Sequence, residues 1–475
     1  MTHTRARQIR AGLSHPIVDA DGHFVELGPL LNEEVLAYIE EMGGPELRDQ
    51  YVQHSGVTDT STVLAEHARA AGAGWKAMPS WWGWQTANTL DRATAHLPRL
   101  LYERLDDFGI DVTILYPSMT LSYLEIHDDD LAALRCRAAN RYLARFFAGM
   151  EDRCIVGALV PMTDPKMACA ELEYAVRELG FKTAVFAGHA RRAIGDPDGI
   201  AYRLDTFGVD SAFDYDPLWA TCVELGVAPV FHSSLQSHRV TRSSTSYVYN
   251  HVGGLAANHE SLCKSLFLSG VTRRFPDLRV GFLEGGVAWA CALFSDLVGH
   301  WEKRNGDAIG TLDPDRLDVD VLMELFDRYG DERVRDSLGA LRAYFARPAA
   351  RPEQLDEFAA VGLRTVDDLR DRFVPNFYFG CEADDRLLAW AFAERINPAR
   401  ARFRPIFGSD ISHWDVPDMT EPVEEAFELV ADGVIGAPEF EELMFRNPVR
   451  LHGEMNPSFF AGTIVERRAG DTLTS

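Results

Sequence analysis

The chain has 475 residues, and its 72 acidic against 47 basic residues give a formal net charge of -25. This balance argues against nucleic acid or an anionic membrane surface as the main partner. No apolar run approaches the roughly 20 residues that a membrane span needs. The seven cysteines form no CxxC pair, and the first residues lack the apolar segment of a signal peptide. We therefore expect a cytoplasmic protein.

Short apolar runs recur along the chain, with helix-like stretches between them. The predicted strands are 17–21, 112–116, 155–160, 183–186, 228–232, 278–283, 377–379 and 406–409. The predicted helices include 129–150, 166–179, 217–225, 260–274 and 384–396. Alternating strands and helices predict a parallel sheet, and eight such units favour one closed (β/α)8 barrel over residues 1–475. A doubly wound open sheet is the alternative.

Two spacings of about 90 residues are too long for simple connections, which usually have about 4–6 residues. They predict an aromatic-rich insertion at 27–96, after the first strand, and a helical insertion at 304–373, after the sixth. The first insertion contains Trp75, Trp81, Trp82 and Trp84. It is either a lid that presents aromatic surface to a substrate or a plug that packs on the barrel, and the plug is favoured. The second insertion is charged and amphipathic and could form a subunit contact.

The first predicted strand runs into alternating acidic and imidazole side chains, Asp19, Asp21 and His23. Residues two apart in an extended strand share a face, so we expect these three side chains to point the same way. Carboxylate and imidazole groups that converge at a strand end can hold a divalent metal ion. The alternative is a surface loop with scattered acids.

Three further predicted strands lead into side chains that can bind metal. His232 ends the fifth, Glu284 follows the sixth, and Asp410 follows the eighth, with His413 three residues later. Taken singly, each could be a core histidine or a helix cap. Because the carboxyl ends of barrel strands meet on one face, the set predicts an active site there.

These motifs resemble those of the amidohydrolase superfamily. The resemblance is carried by Asp-x-Asp-x-His after the first strand, His after the fifth and Gly-Ser-Asp after the eighth. It is closest to the branch that includes aminocarboxymuconate-semialdehyde decarboxylase and related hydroxybenzoate decarboxylases. Supporting segments are Tyr-Pro-Ser at 116–118, Arg-Phe-Pro-Asp-Leu-Arg at 274–279 and Asn-Pro-Val-Arg-Leu-His-Gly at 447–453.

The resemblance implies metal ligands at His23, His232 and Asp410, with Asp21 standing where relatives carry His or Glu. It also implies one or two divalent ions, Zn²⁺, Fe²⁺ or Mn²⁺, with a single ion slightly favoured. Strand six departs from the pattern, since relatives commonly carry His where this chain has Glu284. Near a dication Glu284 should stay ionised, which makes it a ligand or a base and a poor general acid.

The chemistry that follows is hydrolysis of an amide, lactone, ester or thioester in a small molecule, with Asp410 or Glu284 taking a proton from metal-activated water. The alternative is non-oxidative decarboxylation of a hydroxyaryl or muconate-like acid. That reaction needs a proton donor to carbon, and His251 or His413 could take the place of the missing histidine. A non-enzymatic barrel is a third, weaker possibility. Barrels of this kind often pair, so we expect a homodimer.

Overall fold

Eight parallel strands form the centre of the computed structural model, which describes residues 4–54, 78, 80, 82–126, 128–195, 202–232, 243–347 and 354–474. In chain order, the strands are β1 Val18–Phe24, β2 Val112–Pro117, β3 Cys154–Val160, β4 Thr183–Phe186, β5 Pro229–Phe231, β6 Val280–Phe282, β7 Phe377–Cys381 and β8 Arg404–Phe407. Each strand pairs in parallel with the next. The predicted (β/α)8 barrel is confirmed.

Two backbone hydrogen bonds join β1 to the segment after β8 and close the ring. The amide of His23 donates to the carbonyl of Ile411, and the amide of Asp410 donates to the carbonyl of Asp21, both at 2.9 Å. The pairing of β1 with β2 shifts its register between Asp19 and Gly22. A bulge of this kind re-aims side chains, so strict alternation does not hold along β1.

Asp19 stabilises the closed barrel through hydrogen bonds and does not lie among the candidate ligands. Its carboxylate accepts hydrogen bonds from the Thr113 hydroxyl at 2.7 Å and from the Ser409 amide and hydroxyl at 2.9 and 2.8 Å. Gly22 permits this, because a Cβ there would lie 2.6 Å from the Asp19 carboxylate. The expectation that Asp19 shares a ligand face with Asp21 and His23 is therefore wrong. Asp19 ties β1 to β2 and β8.

Replacing Asp19 with Ala should destabilise the protein, because it leaves buried donors of Thr113 and Ser409 unpaired. We expect a loss of about 2–4 kcal/mol in the free energy of unfolding, measured by urea denaturation. Asp19→Asn keeps an acceptor oxygen and should lose less. A change below about 0.5 kcal/mol in the alanine variant would contradict the bracing role.

A row of phenylalanines explains why His232 points into the barrel. Phe186, Phe231, Phe282 and Phe379 are register neighbours across β4 to β7. Phe282 and Phe379 pack on Trp289 of the helix after β6, with ring centroids 5.7 and 5.3 Å apart. Since this row faces the helices, the residue that follows Phe231 faces the barrel interior. That residue is His232.

Helices surround the barrel, and local sequence signals set their ends. Asp164, for example, accepts hydrogen bonds from two amides of the first turn of Pro165–Arg177, and proline takes the first position. The described α-helices are Arg5–Gly12, Gly28–His54, Thr89–His96, Pro98–Phe108, Asp129–Phe146, Pro165–Arg177, Asp216–Leu225, Tyr247–His251, Gly254–Leu268, Val271–Arg274, Ala288–Arg304, Val319–Tyr329, Glu332–Asp336, Leu338–Phe345, Val366–Phe373, Pro422–Ala431, Ala437–Glu441, Asn447–Gly453 and Glu466–Thr474. None of these helices combines the length and apolarity needed to cross a membrane.

Two predicted helices differ from the structure. The helix expected over 260–274 is interrupted at Gly270, whose φ of +79° ends the first helix in a left-handed residue. The helix expected over 384–396 is a 3₁₀ helix, Arg386–Phe392, that Asp385 caps and that stops where Ala393 leaves helical dihedrals. Competing local hydrogen bonds of the Asp385 side chain account for the shorter element.

Both long connections contain helices where the chain is described. The first contains Gly28–His54, broken at Gly44, and Thr89–His96. Trp75 and Trp81 lie outside the described residues. The second contains Val319–Tyr329 and further short helices. Their boundaries as separate units stay predictions.

Candidate metal centre

Three strand ends bring four of the five predicted ligands around one imidazole nitrogen. The Nε2 atom of His23 lies 3.2 Å from Nε2 of His232, 3.3 Å from Oδ1 of Asp410 and 3.6 Å from Oδ1 of Asp21. Each of these side chains is buried. The structure thus brings together Asp21, His23, His232 and Asp410 as the sequence predicted.

These separations fit a shared metal ion. Tetrahedral coordination with bonds of about 2.0–2.2 Å places neighbouring ligand atoms about 3.4 Å apart. The two ring nitrogens of His23 and His232 face each other at 3.2 Å, and two lone pairs at that distance repel unless a proton or a cation lies between them. The donor set of imidazoles and carboxylates suits a borderline or hard divalent ion.

Unsatisfied buried oxygens give a second indication. Among the described residues, Oδ1 of Asp21 and Oδ1 of Asp410 have no hydrogen-bond partner, although their side chains are only 4% and 8% exposed. Burial raises the pKa of both carboxyls well above the ordinary value, and the charge of Glu284 raises each further. A bound dication would reverse this shift and satisfy both oxygens.

The neutral state of His23 is compatible with metal binding. Burial lowers its pKa well below the ordinary value, and the neighbouring His413 and His232 lower it further. A neutral imidazole offers one ring nitrogen with a free lone pair, which is the form that binds a metal ion.

Strained backbone conformations aim two of the candidate ligands. Glu284 has φ +57° and Asp410 has φ +50°, in the left-handed region that non-glycine residues seldom adopt. Such conformations cost of order 1–3 kcal/mol and cluster at functional sites. His259 supports the first of them, since its Nε2 lies 2.6 Å from the carbonyl of Leu283.

Glu284 sits beside the cluster and contacts His232. Its Oε2 lies 3.0 Å from His232 Nε2. Burial alone would raise the pKa of Glu284, but the hydrogen bond and charge of His232 outweigh burial and lower it, so the group stays ionised. Because one ring nitrogen carries either a proton or a metal bond, metal binding at His232 would break this hydrogen bond. Glu284 would then be a further ligand or a base.

His413 supports Asp410 from the outer side. Its Nδ1 lies 3.0 Å from Oδ2 of Asp410, and its ring stacks on His23 at 4.7 Å. Burial lowers the pKa of His413 to about 4, so the ring is neutral near pH 7. Gln85 of the first insertion donates to the backbone carbonyl of His413 at 2.5 Å. His413 therefore orients Asp410 and is a poor proton donor.

His251 lies beside the ligand cluster, facing two carboxylates. Its Nε2 is 3.8 Å from Oε1 of Glu284 and 3.7 Å from Oδ2 of Asp415. Its side chain is 21% exposed, against 3% for Glu284. Sequence reasoning assigned no role to Asp415, although the His-Trp-Asp run after the last strand was a usable signal.

The match to known proteins covers most of the chain. The family described as Amidohydrolase matches residues 18–453. The chain belongs to the amidohydrolase family. The matched range includes all the predicted ligands, so the resemblance noted from the motifs is confirmed.

Individual relatives of this amidohydrolase are more distant. Decarboxylase orsB of Emericella nidulans is 30% identical over 182 residues, which are 36% of this chain and 50% of that protein. The chain thus spans about half the length of that relative. An amidohydrolase structure from Mycobacterium avium subsp. paratuberculosis has a TM-score of 0.53 at 15% identity and covers 93% of this chain and 100% of its own. The 5-carboxyvanillate decarboxylase of Sphingomonas paucimobilis has a TM-score of 0.50 at 14% identity, with 92% and 99% covered. These structures share the fold.

Asp415 gives the metal-free amidohydrolase a defined pH dependence. Burial and then the charge of Glu284 raise the pKa of Asp415 to about 7. In the unfolded protein the Asp415 carboxyl ionises from about pH 4 upward, whereas in the folded protein it stays protonated up to about pH 7. The free energy of unfolding therefore falls as the pH rises from about 4 to 7. Asparagine does not titrate, so Asp415→Asn removes this fall in the free energy of unfolding.

We therefore expect the free energy of unfolding of Asp415→Asn, taken relative to that of wild type, to be about 1–2 kcal/mol higher at pH 8 than at pH 5. This figure is reduced because the side chain is partly exposed. Urea denaturation of chelator-treated protein at both pH values measures the difference. The same stability difference at pH 5 and pH 8 would contradict the raised pKa.

Proposed function

We propose that this amidohydrolase is a metal-dependent, non-oxidative decarboxylase of a small hydroxyaryl acid. The observation that carries the proposal is the position of His251, whose Nε2 lies between the carboxylates of Glu284 and Asp415 beside the ligand cluster. The sequence alone favours hydrolysis, because Glu284 stands after strand six in place of a histidine that could protonate carbon. The helix Tyr247–His251 supplies an imidazole near Glu284 instead. The partial similarity to a decarboxylase supports the same choice.

The residues proposed to hold the metal ion are Asp21, His23, His232 and Asp410, with Glu284 as a fifth candidate. When bound, a divalent ion supplies positive charge to the carboxylate and the adjacent hydroxyl oxygen of the substrate. One ion is the simpler proposal because ligand atoms of His232, Asp410 and Asp21 lie 3.2, 3.3 and 3.6 Å from His23 Nε2. The identity of the metal, Zn²⁺, Fe²⁺ or Mn²⁺, remains part of the proposal.

The proposed proton donor is His251. A proton on its Nε2 is stabilised by the facing carboxylates of Glu284 and Asp415. In the reaction it passes to the ring carbon that bears the carboxylate, forming a C–H bond. The bond from that carbon to the carboxyl carbon then breaks, its electron pair restores the aromatic ring, and carbon dioxide leaves. His251 must then regain a proton from solvent; its Nε2 is buried, and the exposed 21% of the side chain lies elsewhere on the residue.

A carbon dioxide assay tests the proposal. The purified chain is loaded in turn with Mn²⁺, Zn²⁺ and Fe²⁺ and offered 2-hydroxybenzoates with different ring substituents. We expect carbon dioxide release from at least one of them, and in deuterium oxide the product should carry one deuterium at the carbon that lost its carboxylate. Turnover of esters or lactones without any carbon dioxide from this panel would contradict it.

Hydrolysis stays the second candidate because of Glu284. This carboxylate is buried, ionised and next to the cluster, as a base that takes a proton from water should be. In that reaction the hydroxide oxygen adds to a carbonyl carbon, and the alkoxide or amine leaves with the proton. A small-molecule substrate, a homodimer and a cytoplasmic location likewise stay proposals.

A further inference from the structure

We propose that Trp82 of the first insertion completes an aromatic wall, formed by Trp82, Tyr247 and Trp414, that selects a planar aryl substrate for the site. The inference rests on the proposed function and specifies its substrate class. It assigns to one residue of the insertion a direct role in substrate choice. It also favours the aromatic-surface interpretation of this insertion over the plug.

The three rings come from separate parts of the chain and touch one another. Trp82 lies 5.2 Å from Tyr247 and 6.0 Å from Trp414, measured between ring centroids, and Tyr247 lies 4.9 Å from Trp414. The interplanar angles of 82°, 62° and 71° describe edge-to-face contacts. Trp82 and Trp414 are half-buried, so part of each ring remains accessible.

The aromatic wall is continuous with the proposed chemistry. The His251 ring stacks on Tyr247 at 5.3 Å and 18° and lies 5.2 Å from Trp414. Trp414 also follows His413 directly in the chain, and their rings are 5.4 Å apart. A substrate whose reacting carbon faces His251 therefore has aromatic surface next to its ring.

Hydrogen bonds on both sides of Trp82 hold the insertion against the site. On one side, the Met78 amide donates to the carbonyl of Ser243 at 2.9 Å, and the side chain of Asn250 donates to the carbonyl of Met78 at 3.3 Å. On the other, Gln85 donates to the carbonyls of His413 and Val416 at 2.5 and 2.8 Å. These bonds fix the backbone around Trp82 to the loops that follow β5 and β8.

The ring spacing decides which kind of ligand the aromatic wall suits. Aromatic residues bind an organic cation when they surround an open space that it can fill. Here the centroids are 4.9–6.0 Å apart, so the three rings fill the space between themselves, and the half-buried Trp82 and Trp414 present aromatic surface instead of a cage. An aryl ring packs well on such a surface, in offset or edge-to-face contact.

A matched pair of ligands tests the inference by binding alone. Salicylate and cis-2-hydroxycyclohexanecarboxylate carry the same carboxylate and neighbouring hydroxyl, and only salicylate has an aromatic ring. Isothermal titration calorimetry of the Mn²⁺-loaded chain gives the ratio of their dissociation constants. We expect wild type to prefer salicylate and Trp82→Ala to lower this preference about 2- to 10-fold.

Two further variants isolate the ring. Trp82→Phe keeps an aromatic face and should retain most of the preference. Trp84→Phe changes a neighbouring tryptophan of the same insertion that packs against Arg92, and it should leave the preference unchanged. Thermal unfolding of each variant shows whether the fold is intact. An unchanged preference in folded Trp82→Ala, or no preference in wild type, would overturn the inference.

The binding readout separates this inference from the proposed function. A preference for salicylate that depends on Trp82, without carbon dioxide release from any hydroxyaryl acid, would keep the aromatic wall and reject decarboxylation. Carbon dioxide release with a preference that does not depend on Trp82 would keep decarboxylation and reject the aromatic wall.

Discussion

Asp410→Asn should remove the bound metal ion and lower the rate of carbon dioxide release about 100-fold or more. Asp410 Oδ1 is buried and lies 3.3 Å from Nε2 of His23, and no residue in the described part of the chain hydrogen-bonds to it. An amide at this position has no negative charge, and even residues that only orient a metal ligand are worth about 10–100-fold in affinity or activity. Plasma mass spectrometry of the purified chain gives the metal content, and the gas assay gives the rate.

Two variants serve as comparisons for Asp410→Asn. Glu103→Gln changes a carboxylate that is 58% exposed on the outer helix Pro98–Phe108, and it should keep wild-type metal content. Glu284→Gln decides the metal count, because one ion that survives the change identifies Glu284 as a base, whereas two ions reduced to one identify a bridging ligand. Full metal content in Asp410→Asn would contradict the proposed centre.

His251→Gln should lower carbon dioxide release about 10²- to 10⁴-fold, the usual contribution of a positioned acid, while metal content stays at the wild-type level. Glutamine can donate a hydrogen bond but cannot transfer a proton at neutral pH. His251 is not among the residues that surround His23 Nε2, so its loss should leave the metal ligands in place. Gas release and metal content are measured on the same preparation.

The matched control is His300→Gln, on an exposed histidine of the helix after β6. It should leave both readouts unchanged. Retention of more than about half the activity in His251→Gln would show that another group protonates carbon, since a positioned acid contributes at least about 10²-fold.

The strands and the ligands were predictable because both depend on local patterns. An apolar run such as Val280–Phe282 predicts a buried strand, and Glu284 just after it predicts a functional side chain at the carboxyl end of that strand. The carboxyl ends of parallel strands meet on one face, so His232 and Asp410 could be placed together although 177 residues separate them in the chain.

What the sequence could not reveal depends on backbone detail and on long-range contacts. A register shift turned Asp19 from an expected ligand neighbour into a brace, and nothing in Asp-Ala-Asp-Gly-His signals a bulge. The approach of His251 to Glu284 depends on the path of the loop after β5, and this contact changed the favoured reaction from hydrolysis to decarboxylation. The meeting of Trp82 with Trp414 depends on how the first insertion folds back over the barrel.

The hydrogen bonds that close the barrel join residues that are synthesised far apart in time. Ser409 lies 390 positions after Asp19, to which it binds, and Asp410 is the next residue to be synthesised. At about 5–20 residues per second, a ribosome needs roughly 20–80 s to cross that interval. For that period Asp21 and His23 are present without their partner from the eighth strand. The four candidate ligands can therefore come together only after the chain has been synthesised past Asp410.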